Sequence, residues 1–208
     1  MTVPTQPAAT GDRRTRRREA TRRKLIGAGR TLFASRGVDV TRINEITELA
    51  DVGFGSFYNH FADKDELVDA VMSELTEEQG SIVDAATRNF DDPAAVVAFA
   101  HAHFVRLARE DPSFGQLLIR LDASHRVMSK ALGSRALRDI QTGLDRGRFT
   151  FEPAPAAVLA TGGALLGTMR GVVDGMLGPD AAQAHAAGVL RMLGLTPEDA
   201  GETASSVM

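Results

Sequence analysis

Nine consecutive residues, Gly53-Phe54-Gly55-Ser56-Phe57-Tyr58-Asn59-His60-Phe61, hold the single tyrosine of a 208-residue chain beside a serine, an asparagine and a histidine. Each of those four polar side chains can donate a hydrogen bond to a phosphate, and an asparagine amide can match an adenine edge with two bonds. Gly55 leaves no side chain where a backbone would approach a sugar-phosphate strand. Phe54 has two readings, contact with thymine methyl groups or packing against the preceding turn. Tyr58 and His60 read either as contact residues or as members of the small core that Val52, Phe57 and Phe61 anchor.

Other chemistries find less support. The chain has no cysteine, which excludes disulfides, thiolate metal sites and cysteine nucleophiles, and fits a reducing compartment. His101 and His103 are two apart, so on a helix they point to different faces and make a poor metal pair. Asp122 and His125 have no serine or cysteine in an elbow motif beside them. The glycines at 53 and 55 follow no strand and lack a third partner, so they are no dinucleotide fingerprint. No catalytic residue, metal or cofactor is assigned, and an enzyme is not expected.

The elements that must position these residues are helices. Leu25, Ala28, Gly29, Leu32 and Phe33 fall on one face of a first helix that Gly37 ends. Thr41 is placed as the N-cap of a short second helix with Ile43, Ile46, Leu49 and Ala50 inward. A turn in which Gly53 takes the special backbone conformation leads to a third helix, about 54–60. Asp63 and Glu66 form a capping box for a helix running to about Asn89. Further helices follow from Pro93, Pro112, Arg126 and Pro153 or Pro155 (to Leu177), and Gly178-Pro179 separates the last of these from a final helix to about Leu193. The sequence therefore predicts an all-α fold of about nine helices. Residues 1–12 are read as a disordered tail, 13–63 as a small first domain with two short helices around a tight turn, 64–195 as a larger helical domain, and 196–208 as a loose tail.

Charge divides the chain the same way. The net charge is −3, yet residues 1–70 carry +2 and the remainder −5. Between Arg13 and Lys24 eight basic residues face one acid, Glu19. A basic arm on an acidic body suits a polyanion at one end only, or is simply a solvated tail. Two short helices around a tight turn, the second rich in exposed-type polar residues, is the helix-turn-helix plan, whose second helix enters the DNA major groove. The opening residues have no apolar signal region, and the longest apolar stretch, Ala154–Leu177, is interrupted by Arg170 and Asp174. A cytoplasmic location away from membranes is expected.

The segment TRINEITELADVGFGSFYNHFADKDEL resembles the DNA-binding segment of the tetracycline-repressor (TetR/AcrR) family of bacterial regulators. The resemblance rests on Thr41, Ile46, Ala50, Gly55, Ser56, Phe57, Tyr58, His60, Phe61, Lys64 and Leu67, and covers about residues 18–68. It implies that Thr41 caps helix 2 and touches phosphate, that Ser56, Tyr58 and His60 contact the backbone, and that Lys64 binds phosphate. Asn59 stands where the family varies, as suits a specificity residue. Arg17, Lys24 and Arg42 join these as DNA-directed charge, with Phe54 and Gly55 completing the candidate surface. The chain departs from the family at Asp51, where glycine is usual, at Gly53, where serine is usual, and at Phe54, where a basic residue is common.

Two features of the larger region remain. Gly163, Gly167, Gly171 and Gly175 recur every four residues at a cost of roughly 1 kcal/mol each inside a helix. A bare ridge of this kind lets another helix approach closely, within the chain or across a two-fold axis. The resemblance implies that the last long helices form a dimer interface, and these glycines are assigned to it. Large apolar residues with a few polar ones, Phe99, His103, Phe104, Phe114, Leu118, Met128, Leu144 and Met169, read as an ordinary core or as an effector pocket. The expected function is a homodimeric regulator, a repressor, that binds a palindromic double-stranded operator and is released by a small apolar or amphipathic effector. The alternative is a helical small-molecule-binding or catalytic protein whose DNA motif does not function.

Overall fold

The structure is a computed structural model; it describes the backbone of residues 10–125 and 128–208 and the side chains of residues 13–119 and 133–208. Ten helices account for the described elements: α1 Thr10–Arg36, α2 Ile43–Leu49, α3 Phe54–Tyr58, α4 Lys64–Thr87, α5 Pro93–Glu110, α6 Pro112–His125, α7 Met128–Asp145, α8 Ala154–Val173, α9 Ala181–Met192 and α10 Pro197–Ser206. The tail expected at 1–12 lies outside the described residues up to residue 9, and α1 already begins at Thr10. The chain divides into two compact units, residues 1–71 and 72–208.

The first unit packs α1, α2, α3 and the start of α4 around Leu25, Phe33, Ile46, Phe57, Phe61 and Leu67, all buried. Gly29 permits this closeness, because a Cβ there would sit 3.1 Å from the Leu67 side chain. The turn between α2 and α3 differs from expectation. Gly53 lies in ordinary extended backbone (φ −65°), and Asp51 instead holds the left-handed conformation (φ 54°). Val52 N–H bonds back to Thr47 O at 3.0 Å and Asp51 N–H to Glu48 O at 3.1 Å, so Asp51 occupies the position after a helix end where glycine is favoured. The capping box at α4 forms in part. Glu66 N–H donates to Asp63 Oδ1 at 2.8 Å, while the Glu66 carboxylate reaches back to Ala62 N–H at 2.6 Å.

In the second unit α5 is central and packs on α6, α7, α8, α9 and α10. Ala94, Ala98, Ala102 and Ala108 on α5 are fully buried, and these small side chains let neighbouring helices close in. The segment expected to be a loose tail is α10. Thr196 caps it by accepting from Asp199 N–H at 3.2 Å, and Ala200 and Ala204 are buried. Arg148 holds α10 in place, with its guanidinium bidentate on the α5 N-cap Asp92 (2.8 and 3.0 Å) and also on Asp199. Its hydrogen bonds hold Asp199 below the usual carboxylate range; burial pushes Asp92 up, and the same guanidinium with the Ala94 N–H more than offsets it.

Helix α8 ends at Val173, short of the expected Leu177. Gly175 takes a positive φ of 72°, and Met176 N–H bonds to Gly171 O at 2.8 Å. A Cβ on Gly171 would meet Leu177 at 2.8 Å. Gly171 and Gly175 thus serve the helix end within the chain itself. The expected four-glycine ridge reduces to Gly163 and Gly167, which are exposed and have open space beside them.

Candidate nucleic-acid interface and cavity

Helix α3 has five residues and divides cleanly. Phe57 is buried, while Phe54 and Tyr58, one turn apart, are each 53% exposed. Their rings meet edge to face at 5.7 Å, and Phe57 supports Tyr58 from beneath at 5.4 Å. Phe54 therefore stands out beside the tyrosine; it does not close the turn. Gly55 is exposed with nothing near a would-be Cβ, and Asn59 is exposed at the end of α3. Ser56 and His60 are half-buried. The result is a small outward platform of two rings flanked by hydroxyl and amide groups, able to stack on or hydrogen-bond to a nucleic-acid strand.

A basic stripe borders the platform. Arg14, Arg18 and Arg22, four residues apart on α1, line a groove with Arg17, Asn59 and His60. Arg18 Nη2 reaches Asn59 O at 3.5 Å, and Arg22 lies 5.1 Å over the Phe61 ring. Burial first, then the charges of Arg18 and Arg22, keep His60 below the ordinary imidazole range, so the ring is neutral and its arginine neighbours supply the charge. Lys24 and Arg42 are exposed, Lys24 pairing loosely with Asp51 at 3.9 Å.

Two expected contact residues are scaffold in this structure. Arg42, not Thr41, is the N-cap of α2, with its N–H held by Glu45 Oε2 at 2.9 Å. Thr41 is 1% exposed and donates to Gly37 O at 2.6 Å. Lys64 Nζ donates to Val38 O at 2.7 Å and Thr41 O at 3.1 Å, tying down the α1–α2 loop. Arg14, Arg18 and Arg22 recur at i, i+4 within the basic arm, so the stripe they form is legible in the sequence.

The second unit contains a cavity of about 610 Å³ walled by α4, α5, α7 and α8. Its lining is mostly apolar, with Asp84, His101, Arg135, Asp139 and Thr161 as polar members. Arg135 donates to Asp84 at 2.8 Å and to both Glu77 oxygens at 2.9 and 3.1 Å, and Arg138 joins Asp84 to Asp139. A Cβ on Gly80 would fall 2.7 Å from the Arg135 guanidinium, so glycine there gives the arginine its berth across α4. Burial pushes Asp84 up, and the two arginines outweigh it, leaving a carboxylate.

Family profiles place the chain. One for bacterial regulatory proteins of the tetR family matches residues 25–71, and one for the tetracyclin repressor-like C-terminal domain matches residues 92–206, more than half the sequence. The chain belongs to the tetR family. This tetR-family chain is similar in structure to RolR in complex with the ligand resorcinol, with a TM-score of 0.77 and 41% identity over 92% of this chain and 96% of that one. RolR without ligand gives a TM-score of 0.72 at 40% identity, over 88% of this chain and 96% of that one. Among curated relatives, the transcriptional regulator TtgR of Pseudomonas putida is 42% identical over 59 residues, 28% of each chain. The transcriptional repressor KstR2 of Mycolicibacterium smegmatis is 30% identical over 73 residues, 35% of this chain and 30% of that protein. The chain matches under a third of the length of these curated relatives.

Of the pocket residues expected from sequence, Phe104 lines the cavity of this tetR-family chain. Phe99 and His103 stack on each other at 6.2 Å on another side of α5, where His103 meets Gln79 at 2.9 Å. Phe114, Leu118 and Met169 are core, and Leu144 is half-buried away from the lining. The side chain of Met128 lies outside the described residues. Gly163, assigned to a dimer interface, also lines the cavity.

Proposed function

We propose that the chain is a homodimeric, ligand-responsive transcriptional repressor acting in the cytoplasm. Unit one reads a palindromic operator through Tyr58, Phe54, Asn59 and Ser56, with phosphates held by the α1 arginines and by Lys24 and Arg42. A small hydroxylated aromatic molecule in the cavity lowers operator affinity, and by linkage operator DNA lowers ligand affinity by the same factor. The observation that carries the reading is the lone tyrosine, half-exposed on α3 beside an arginine stripe. The effector class is supported by an apolar chamber with a carboxylate–arginine cluster at its wall, and by the likeness to RolR bound to resorcinol. Pairing through α8 and α9 is supported by exposed Gly163 and Gly167 and by Leu159, 70% exposed on the same helix. Helix α8 has the length and apolarity of a membrane span, but it packs against α5, α6, α7 and α9, and we read it as a bundle helix.

Tyr58 is its own reporter, since the chain has no tryptophan. Its fluorescence should change when operator fragments selected from the source genome are added, the change should weaken with salt, and resorcinol should reverse it. Tyr58→Phe should abolish the signal. A chain that binds resorcinol tightly yet responds to no genomic fragment would refute the repressor reading and favour a plain small-molecule-binding protein.

A further inference from the structure

One buried polar chain enters the cavity wall and has no part in the DNA reading. His101 on α5 lines the cavity and is 9% exposed. Its Nδ1 lies 3.0 Å from Nε2 of His185 on α9, and His185 Nδ1 lies 3.0 Å from Thr168 Oγ1 on α8. His185 is itself 8% exposed. Among the described residues, Nε2 of His101 has no hydrogen-bond partner. That nitrogen is the polar atom of the ring left over for the cavity.

Hydrogen-bond arithmetic restricts what this atom can be. A neutral imidazole carries one N–H and one bare nitrogen. Two arrangements satisfy the chain. In one, Thr168 donates to His185, His185 donates to His101, and His101 offers an N–H to the cavity. In the other, His101 donates to His185, His185 donates to Thr168, and His101 presents a bare nitrogen. A phenolic hydroxyl, a strong donor whose oxygen lone pair is partly drawn into the ring, fits the second. Burial holds both imidazoles well below their ordinary range, to about 3 for His101 and about 4 for His185, so neither contributes a cation at neutral pH. A group at this end of the cavity therefore meets a neutral ring.

We propose that His101 is the effector-orienting residue of the cavity, accepting a neutral aromatic hydroxyl at Nε2, and that His185 and Thr168 are positioning residues that fix the required tautomer. The assignment rests on the reading of the cavity as an effector site and names the group that sets its preference for hydroxylated rings. It separates this end of the cavity from the Asp84–Arg135 end, where charge is present. It also ties ligand recognition to α8 and α9 through hydrogen bonds alone.

The test uses the full chain with two probes, resorcinol and m-xylene, which replaces both hydroxyls by methyl groups. His101→Asn keeps an amide atom near the Nδ1 position for His185 and removes Nε2. It should weaken resorcinol binding in calorimetry about 10- to 100-fold and leave m-xylene within about twofold, while His101→Gln, which restores a polar atom near the Nε2 position, recovers part of the loss. In nitrogen NMR of histidine-labelled wild type, resorcinol should move the His101 Nε2 resonance and, with it, both His185 nitrogens; m-xylene should leave the tautomer pattern unchanged. Resorcinol binding with unmoved histidine resonances and an unaffected Asn variant overturns the inference and spares the effector reading. Absence of resorcinol binding to wild type overturns the effector reading, and the inference with it.

Discussion

Lys64 decides between two roles that a sequence cannot separate. If it binds phosphate, Lys64→Met lowers operator affinity and leaves the fold alone. The structure gives the opposite expectation. Two of its contacts, 2.7 Å to Val38 O and 3.1 Å to Thr41 O, are good charge-assisted bonds, and the third, 3.5 Å to Asp39 O, is too long to count. Such bonds are worth about 1.5–3 kcal/mol each when dry. Lys64 is half-buried, so roughly half of that survives, about 2 kcal/mol for the pair. Methionine preserves the apolar stem and removes the lysine donor from both carbonyls, Val38 O keeping only the Thr41 N–H at 3.2 Å. For a chain of this length, about 2 kcal/mol shifts the melting temperature by roughly 4–8 °C. Circular-dichroism melting measures that, and the slope of log affinity against log salt measures phosphate neutralisation. A melting temperature within about 1 °C of wild type, with the salt slope reduced by about one unit, would refute the scaffold reasoning.

Asp51→Gly should stabilise the first unit by about 0.5–1 kcal/mol in urea denaturation, since relief of the left-handed conformation exceeds the added chain entropy of glycine; Asp51→Ala should not. Replacing Arg14, Arg18 or Arg22 singly by alanine should weaken operator binding across sequences and lower the salt slope by about 0.9 for each phosphate that is no longer neutralised; unchanged slopes for all three would remove the stripe from the interface. The pH dependence of stability should follow the buried histidines. With folded values of about 3 and about 4 against an ordinary 6.5, their contribution is complete above pH 6.5. It falls as the pH drops from there toward 4, by up to about 1.4 kcal/mol per pH unit for each ring, because the unfolded chain takes up protons that the folded one refuses. The His101→Leu, His185→Phe double variant should flatten urea stability between about pH 7 and pH 5, and an unaltered pH slope would sink the assignment.

The exposed segment around α3 is the part most legible in the sequence. Polar residues wasted in a core, a tight turn and a basic arm are local signals, and they locate Tyr58, Phe54 and Asn59 on or beside an exposed five-residue helix. The roles of Thr41 and Lys64 are not legible, because they depend on a loop folding over a lysine 26 residues further along. The turn hides its strained residue for the same kind of reason. Either Asp51 or Gly53 can punctuate it, and only the register of the last turn of α2 makes Asp51 the left-handed one. The cavity is hidden differently. Large apolar side chains are poor markers of it, because a cavity is missing volume, and its walls are rich in small residues such as Gly80, Ala100, Ala136 and Gly162. Helix α10 does leave a signature, a capping threonine followed by Pro197, Glu198 and Asp199, which reads as a helix start.

The Arg148 clamp has a consequence for the order in which this chain matures. Asp92 leaves the ribosome 107 residues before Asp199. At roughly 5–20 residues per second, that is a delay of about 5–20 s. Arg148 itself emerges 56 residues after Asp92, and from then until Asp199 emerges it has only one of its two carboxylates, while α5 lacks the cover of α10. The unit that carries Tyr58 is synthesised first, and α5 and α9 in the second unit are covered only once α10 has emerged.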